Sequence, residues 1–168
     1  VPRDGYFQKI REICDRYDLL FIADEVMTGM GRTGKNFGVD HWNVVPDMVV
    51  VAKGLSSGYT PIAAVIAKEE IHRRIQEGSG SFVHGHTYSQ NPLSCAIAVA
   101  AIDYLLQHNL ISKSAQQGEY FLHPLQSLYR HDFVGDVRGK GLFAGIEFVK
   151  DKKTKEPFDP KLKLNALI

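Results

Sequence analysis

The sequence predicts an α/β fold in which helices pack against a sheet of buried strands. Three observations support this prediction. Residues 6–17 place apolar side chains at helical spacing and lead directly into a strand-like run at 19–23. Two further apolar runs, at 48–52 and 62–67, are short and rich in β-formers. Because these runs are apolar almost without interruption, we expect a sheet that is buried on both faces.

The middle of the chain predicts three more helices. Residues 68–77 favour a short helix, and a glycine-rich loop follows it. Asn91 and Pro92 are typical of a helix start, with Pro92 in the first helical position, and a long apolar pattern continues from there. A further helix is predicted at 112–129, where Pro124 should kink or break it.

The character of the sequence changes near residue 125. Two short β-like runs, 133–137 and 142–149, are joined by a predicted turn at 139–141. We therefore expect two domains, residues 1–125 and residues 126–168.

Composition limits the classes of partner. The chain carries 20 Lys and Arg against 19 Asp and Glu and has no basic block, so we expect no nucleic-acid partner. Cys14 and Cys95 are too few for a disulfide framework, which favours a reducing, cytoplasmic location. No apolar run approaches the roughly 18 residues of a membrane span, so we expect no membrane partner. The chain lacks an initial Met and stops within an amphipathic pattern at 165–168, so we expect a piece of a longer protein.

Charged residues end two of the predicted strands. Asp24 and Glu25 follow the run at 19–23, and Lys53 follows the run at 48–52, 29 residues after Asp24. Taken singly, Asp24 fits an exposed strand-end carboxylate and Lys53 fits a snorkelling lysine. Open α/β sheets place ligands at the C-terminal ends of strands, and a buried charge is costly unless it is paired. We therefore expect a buried carboxylate and a buried amine in one site.

One cofactor uses a lysine and a carboxylate without pairing them directly. Pyridoxal phosphate forms a Schiff base with a lysine, and a carboxylate keeps its ring nitrogen protonated so that the ring acts as an electron sink. Lys53 and Asp24 are the residues of this chain that suit those two roles.

A glycine-rich loop follows Asp24 and permits two nucleotide interpretations. Residues 29–34 satisfy the pattern GxGxxG, and residues 29–35 satisfy GxxxxGK. The first pattern needs a helix that starts within the loop, but residues 35–40 lack helical periodicity. The second needs Ser or Thr where Asn36 stands. We favour a tight glycine turn that opens the strand end into a pocket, with a nicotinamide-dependent oxidoreductase kept as an alternative.

Two other features were weighed as sites. His84 and His86 alternate across one glycine, but no third metal ligand lies at familiar spacing, so we predict no metal site. Arg138 lies in the predicted turn region between β-like runs, where a structural ion pair is favoured over a contact to a substrate carboxylate.

Six segments of the chain form one extended pattern. They are DEV followed by TGMGRTG within residues 24–34, PD at 46–47, AKG at 52–54, HGHTY at 84–88, NPL at 91–93 and VRGKGL at 137–142. In order and spacing they resemble the class III pyridoxal-phosphate-dependent aminotransferases, the omega-transaminase group. The resemblance covers most of the chain.

The resemblance implies a type I aminotransferase fold. In that fold a doubly wound, mostly parallel sheet forms a large domain that holds pyridoxal phosphate, and residues 1–125 would be part of it, together with a connecting helix. Residues 126–168 would begin a smaller α+β C-terminal domain. The family also implies a homodimer whose active sites are shared between subunits.

The resemblance also implies roles for single residues. Lys53 would form the Schiff base and carry the proton, Asp24 would pair with the ring nitrogen, and Val26 would pack behind the ring. Met27 stands where many relatives carry Gln, so a hydrogen bond to the ring hydroxyl is in doubt, although a thioether can still pack beside the ring.

The same resemblance assigns the phosphate of the partner subunit's cofactor to Thr87 and to the backbone of Gly85 and His86. Relatives also need an upstream phosphate cup, an upstream stacking aromatic and a downstream arginine, none of which lies in these residues. We therefore expect residues 1–168 alone to be inactive.

The function that follows is transfer of an amino group from an amine or amino-acid donor to an oxo-acid acceptor. A decarboxylase, racemase or aminomutase that uses the same cofactor stays open, because Lys53 and Asp24 would serve each of them. A noncatalytic interaction module is a further alternative, suggested only by the chain length.

Overall fold

A computed structural model describes residues 1–164, so the amphipathic pattern at 165–168 lies outside the described residues. The helices are α1 (Tyr6–Arg16), α2 (Glu69–Gly78), α3 (Pro92–Gln107) and α4 (Leu110–Leu125). The strands are β1 (Ile22–Asp24), β2 (Met48–Val51), β3 (Ala64–Ala67), β4 (Val134–Lys140) and β5 (Phe143–Phe148). Short 3₁₀ helices lie at Gly38–Trp42, Lys53–Ser56, Gln126–Arg130 and Pro160–Leu162.

The helices follow local sequence signals. The prediction for α3 is confirmed, since the Asn91 side chain accepts a hydrogen bond from the Ser94 N–H at 3.1 Å and Pro92 occupies the first helical position. Pro124 lies in the last turn of α4, and the chain continues as a 3₁₀ helix. The predicted break in this helix is therefore confirmed.

The first sheet has the order β1-β2-β3 and mixed direction. β1 pairs with β2 in parallel, whereas β2 pairs with β3 in an antiparallel register that sets Val51 opposite Ala64. The expectation of a mostly parallel, doubly wound sheet is therefore not met within residues 1–164. The connection at 52–63 contains a single 3₁₀ helix rather than the crossover helix that a parallel pairing needs.

The expected burial of both sheet faces is also wrong for the described residues. All four residues of β3 are exposed, because among the described elements β3 packs mainly against β2 and not against a helix. The core lies elsewhere, in two clusters of buried side chains. One comprises Cys14, Phe21, Ala23, Val39, Trp42 and Val44, and the other Val51, Leu55 and Ala98. α1 and α3 thus supply the helical cover, and β1 and β2 lie at the centre of the packing.

The second sheet is an antiparallel hairpin of β4 and β5. The predicted turn at 139–141 is displaced, because Gly139 and Lys140 pair with Ala144 and Phe143 and belong to β4. The tight turn is instead made by Gly141, whose φ of +54° suits glycine, and by the residue after it. The boundary between residues 1–125 and 126–168 stays a prediction.

Within residues 1–164, no single helix is long and apolar enough to cross a membrane. α3 and the stretch Leu110–Arg130 reach that length and apolarity only together, and they are bent by 64° at the break between them.

Asp47 joins four elements at the start of the first sheet. Its carboxylate accepts hydrogen bonds from Arg11 Nη1 of α1 and Lys68 Nζ, both at 2.6 Å, and from the Phe21 N–H at 2.8 Å. Burial opposes ionisation, but the hydrogen bonds from Lys68, Phe21 and Arg11 outweigh it and hold the pKa of Asp47 well below its usual range. This network fixes the strand ends opposite those that carry Asp24 and Lys53.

Replacing Asp47 with Asn should destabilise the full-length protein by about 3 kcal/mol, because Arg11 and Lys68 lose their common partner. The depressed pKa means that the Asp47 contribution is complete above the unfolded-state value of about 3.9 and is lost as the pH falls below it. Thermal unfolding of wild type and Asp47→Asn from pH 7 down to pH 3 checks this. Their Tm values should differ at pH 7, and the difference should begin to narrow as the pH falls from about 4 to 3, because the unfolded chain takes up a proton at Asp47 before the native protein does. Asp15→Asn removes an exposed partner of the same Arg11 and should change Tm little; a loss as large as that of Asp47→Asn would contradict this account.

Candidate active site

Lys53 begins the 3₁₀ helix Lys53–Ser56, separated from the end of β2 by one residue. Its φ is +43°, in the left-handed region that residues other than glycine rarely adopt. The following residues hold this geometry, because Leu55 and Ser56 are buried and the Ser56 hydroxyl donates to the Thr60 carbonyl at 2.6 Å. Backbone strain of this kind is compatible with a functional position, and eight other non-glycine residues within 1–164 also have positive φ.

Asp24 is the last residue of β1 and lies opposite Val50 of β2. The next residue continues the pairing, since the Glu25 N–H donates to the Val50 carbonyl at 2.9 Å. The Asp24 Oδ1 atom accepts the Val26 N–H at 3.1 Å, which leaves Oδ2 for a further donor. Asp24 and Lys53 thus follow neighbouring parallel strands at the same edge of the sheet.

The burial predicted for these two side chains is wrong within residues 1–164. Asp24 and Lys53 are both exposed. The physical reason is that strand ends reach the sheet edge, where a charged group keeps its hydration.

The structure brings three predicted residues together in one cavity. Val26, Met27 and Lys53 line a space of about 360 Å³, together with part of the glycine loop, residues of α3 and α4, and the β4–β5 hairpin including Phe143. Met27 is about half exposed and available for contact. This space is called the Lys53 cavity below.

Asp24 lines a neighbouring cavity of about 350 Å³, together with Val39 and His41. Phe143 borders both cavities. Burial lowers the pKa of His41, although the hydrogen bond between its Nε2 and the Thr33 carbonyl at 3.0 Å favours the charged ring. His41 is therefore neutral near pH 7 and places no cation beside Asp24.

The remaining predicted residues lie in an exposed loop. Gly85, His86 and Thr87 are exposed and do not line the Lys53 cavity. The His86 N–H donates to Ser89 Oγ at 3.0 Å, and the rings of His84 and His86 meet edge to face at 5.1 Å. Within residues 1–164, no three or more His, Cys, Asp or Glu side chains are grouped so that they could hold a metal ion.

Glu25 is a site residue whose role the sequence did not reveal. It is 3% exposed, and its carboxylate accepts the N–H groups of Gly38 at 2.8 Å and Val39 at 2.9 Å and the hydroxyl of Thr28. These two amides start the 3₁₀ helix Gly38–Trp42, so Glu25 attaches that helix to the end of β1. Within the glycine pattern, the N–H groups of Gly31, Arg32 and Gly34 donate to carbonyls of the loop itself, which argues against the nucleotide interpretations. A carboxylate directly after a buried strand, with Thr three residues later, is the one local signal that could have indicated this role.

Close backbone contacts explain two glycines of the pattern. A Cβ atom on Gly29 would lie 2.7 Å from the Glu25 carbonyl oxygen. A Cβ atom on Gly34, whose φ is +85°, would lie 2.8 Å from the Cα of Ala115 in α4. These glycines therefore allow the loop to close on Glu25 and on α4.

The glycine loop also contacts the β4–β5 hairpin. The Arg32 carbonyl accepts the Leu142 N–H at 3.0 Å and the Ser114 hydroxyl at 3.2 Å. Within the hairpin, Arg138 Nη1 pairs with Asp136 Oδ2 at 2.8 Å, so the predicted structural ion pair is confirmed. The hairpin is thereby joined to the loop that borders the Lys53 cavity.

The described residues fit pyridoxal phosphate by the chemistry of their donor groups. Lys53 supplies a primary amine that opens into a cavity, Asp24 supplies a carboxylate oxygen for a ring N–H, and Val26 supplies an apolar surface beside the lysine. Lys53 and Asp24 therefore have the chemistry expected of lysine and carboxylate partners for this cofactor.

Comparisons with known proteins agree with this geometry. The family model "Aminotransferase class-III" matches residues 1–168. The putrescine–pyruvate aminotransferase of Pseudomonas aeruginosa is 45% identical over 162 residues, which are 96% of this chain and 35% of that protein. The taurine–pyruvate aminotransferase of Bilophila wadsworthia is 45% identical over 162 residues, which are 94% of this chain and 36% of that protein.

A solved structure gives the same result. The (S)-enantioselective omega-transaminase of Thermomicrobium roseum superposes with a TM-score of 0.94 at 43% identity, covering 99% of this chain and 37% of that one. The chain belongs to the class III aminotransferases, a pyridoxal-phosphate-dependent family, and spans little more than a third of the length of these relatives.

Proposed function

We propose that the full-length protein is an aminotransferase that moves an amino group from an amine or amino-acid donor to an oxo-acid acceptor. One observation carries this proposal. Asp24 and Lys53 follow neighbouring parallel strands at the same sheet edge, and Lys53 is held in a left-handed backbone conformation beside a cavity. Family membership supports it.

Three residues would hold the cofactor in this proposal. Lys53 would bind the cofactor covalently through Nζ. Once substrate has displaced it, the same amine would take a proton from the substrate carbon and deliver it to the other end of the reacting bond system. Asp24 accepts the ring N–H with its free oxygen, and Val26 packs against the ring. When bound, pyridoxal phosphate supplies an electron sink that makes the substrate proton acidic.

The rest of the site is proposed to come from outside residues 1–168. We propose that residues 1–125 belong to a doubly wound large domain of the type I fold and residues 126–168 to the start of a small domain. Gly85, His86 and Thr87 would bind the cofactor phosphate of the other subunit in a homodimer. We further propose a cytoplasmic location and expect residues 1–168 alone to show no turnover.

Two relatives suggest the kind of amino donor and acceptor. Both have pyruvate as acceptor in their names, with putrescine as donor in one and taurine in the other. We propose pyruvate or a similar oxo acid as acceptor and a primary amine of this kind as donor. A decarboxylase, racemase or aminomutase would instead form its product without consuming an oxo acid.

A visible absorption spectrum of the full-length protein tests the proposed function. With pyridoxal phosphate bound, adding putrescine or taurine without acceptor should bleach the band of the lysine–cofactor bond, and adding pyruvate should restore it. Amine consumption that is independent of pyruvate would contradict an aminotransferase. Binding of a nicotinamide cofactor in place of pyridoxal phosphate would support the oxidoreductase alternative.

A further inference from the structure

Asp24 and Glu25 are adjacent carboxylates with opposite surroundings. Successive residues at a strand end point to opposite sides, and here Asp24 is exposed whereas Glu25 is 3% exposed. The proposed mechanism uses Asp24 and assigns nothing to Glu25. Burying a carboxylate costs desolvation free energy, and this cost is offset only while all three of its hydrogen bonds are formed.

The orientation of Asp24 depends on one backbone donor. The Val26 N–H binds Asp24 Oδ1 at 3.1 Å and thereby selects one position of an otherwise exposed side chain. Val26 lies in the turn 25–29, which the Gly29 N–H closes by donating to the Glu25 carbonyl at 2.9 Å. The position of this turn therefore determines where the Asp24 carboxylate points.

The Glu25 side chain links that turn to residues further along the chain. Oε2 accepts the Thr28 hydroxyl and the Gly38 N–H, and Oε1 accepts the Val39 N–H. The turn is thus attached to the start of the 3₁₀ helix Gly38–Trp42, whose residues Val39 and Trp42 are buried in the core. A glutamine cannot satisfy this arrangement, because its NH₂ group would face an N–H donor.

We propose that Glu25 is a positioning residue, which sets the orientation of Asp24 toward the cofactor ring through the turn 25–29 and the Val26 N–H. This inference rests on the proposed function. Glu25 is 3% exposed and its carboxylate already accepts three donors, so its effect on the site passes through Asp24.

The test uses the full-length protein with pyridoxal phosphate and the variant Glu25→Gln. The readout is the pH titration of the visible absorbance of the lysine–cofactor bond, because a firmly held ring-nitrogen charge lowers the proton affinity of that bond. With Asp24 misplaced, the titration midpoint should rise by about one pH unit, and kcat should fall about tenfold with a smaller change in KM. Asp47→Asn serves as the control for lost stability, since its contacts lie at the opposite end of the strands; it should lower Tm and leave the titration unchanged.

A milder pair of variants covers the case in which Glu25→Gln does not fold. Thr28→Val removes one donor to Glu25 and keeps the side-chain shape, whereas Thr28→Ser restores the hydroxyl. Thr28→Val should shift the titration in the same direction by a smaller amount, and Thr28→Ser should return it toward wild type.

The outcomes separate the two claims. If Glu25→Gln folds, has a lower Tm and still shows the wild-type titration, the positioning role is overturned and the proposed function stays intact. If Glu25→Gln does not fold, the same result for Thr28→Val overturns the positioning role. A wild-type protein that shows no visible band with pyridoxal phosphate would instead refute the proposed function.

Discussion

Replacing Lys53 with Ala in the full-length enzyme should lower turnover on the order of 10⁴-fold, because the variant loses both the covalent anchor and the proton carrier. Cofactor binding should become noncovalent and reversible on dialysis, and the absorption band of the lysine–cofactor bond should disappear. Alanine keeps a Cβ atom and therefore tolerates φ of +43° about as well as lysine does, so the fold should persist. Steady-state kinetics and an absorption spectrum of the same preparation check both expectations.

Lys35 offers a matched control for this experiment. It lies in the glycine loop, is exposed, and does not line the Lys53 cavity. Lys35→Ala should therefore keep the wild-type spectrum and kcat. Activity that survives in Lys53→Ala but is lost in Lys35→Ala would contradict our account, because the reactive amine would then lie in the glycine loop and not at Lys53.

Replacing Asp24 with Asn should lower kcat on the order of 10²-fold while the covalent bond to Lys53 still forms. The amide keeps the shape of the side chain and a hydrogen-bonding oxygen, but it lacks the negative charge that keeps the ring nitrogen protonated. The loss should fall on the step in which Lys53 removes the substrate proton. A substrate carrying deuterium at that carbon should accordingly show a larger isotope effect on kcat in the variant.

Asp18 provides the control for Asp24. It precedes β1, whereas Asp24 ends it, and its φ of +53° is one that Asn tolerates well. Asp18→Asn should therefore leave kcat and the spectrum unchanged. If Asp24→Asn kept full kcat, the assignment of Asp24 to the ring nitrogen would be refuted.

Local signals in the sequence predicted much of this architecture. The Asn91 and Pro92 start of α3, the break at Pro124 and the charged ends of β1 and β2 all depend on residues near one another in the chain. The ion pair of Arg138 with Asp136 is equally local, since only Val137 lies between them. Such features follow from propensity and spacing alone.

Features that depend on distant residues were not predicted. Asp47 is bonded by Arg11 and Lys68, which lie 36 and 21 residues away, and Glu25 is bonded by amides 13 and 14 residues away. The antiparallel direction of β3 likewise depends on how its connection folds. The exposure of Asp24 and Lys53 could not be predicted from the apolar runs that precede them. An apolar run indicates that a strand is buried, but it does not indicate how much of the residue at the end of that strand is exposed.

The central claim is that Lys53 is the covalent anchor of pyridoxal phosphate. It is tested most directly by reducing the full-length holoenzyme with borohydride, digesting it and sequencing the labelled peptide by mass spectrometry. We predict a pyridoxyl group on Lys53, with no label after reduction in the presence of an amine donor that has converted the cofactor. A label on another lysine, or none on a protein that binds the cofactor and transaminates, would contradict the account.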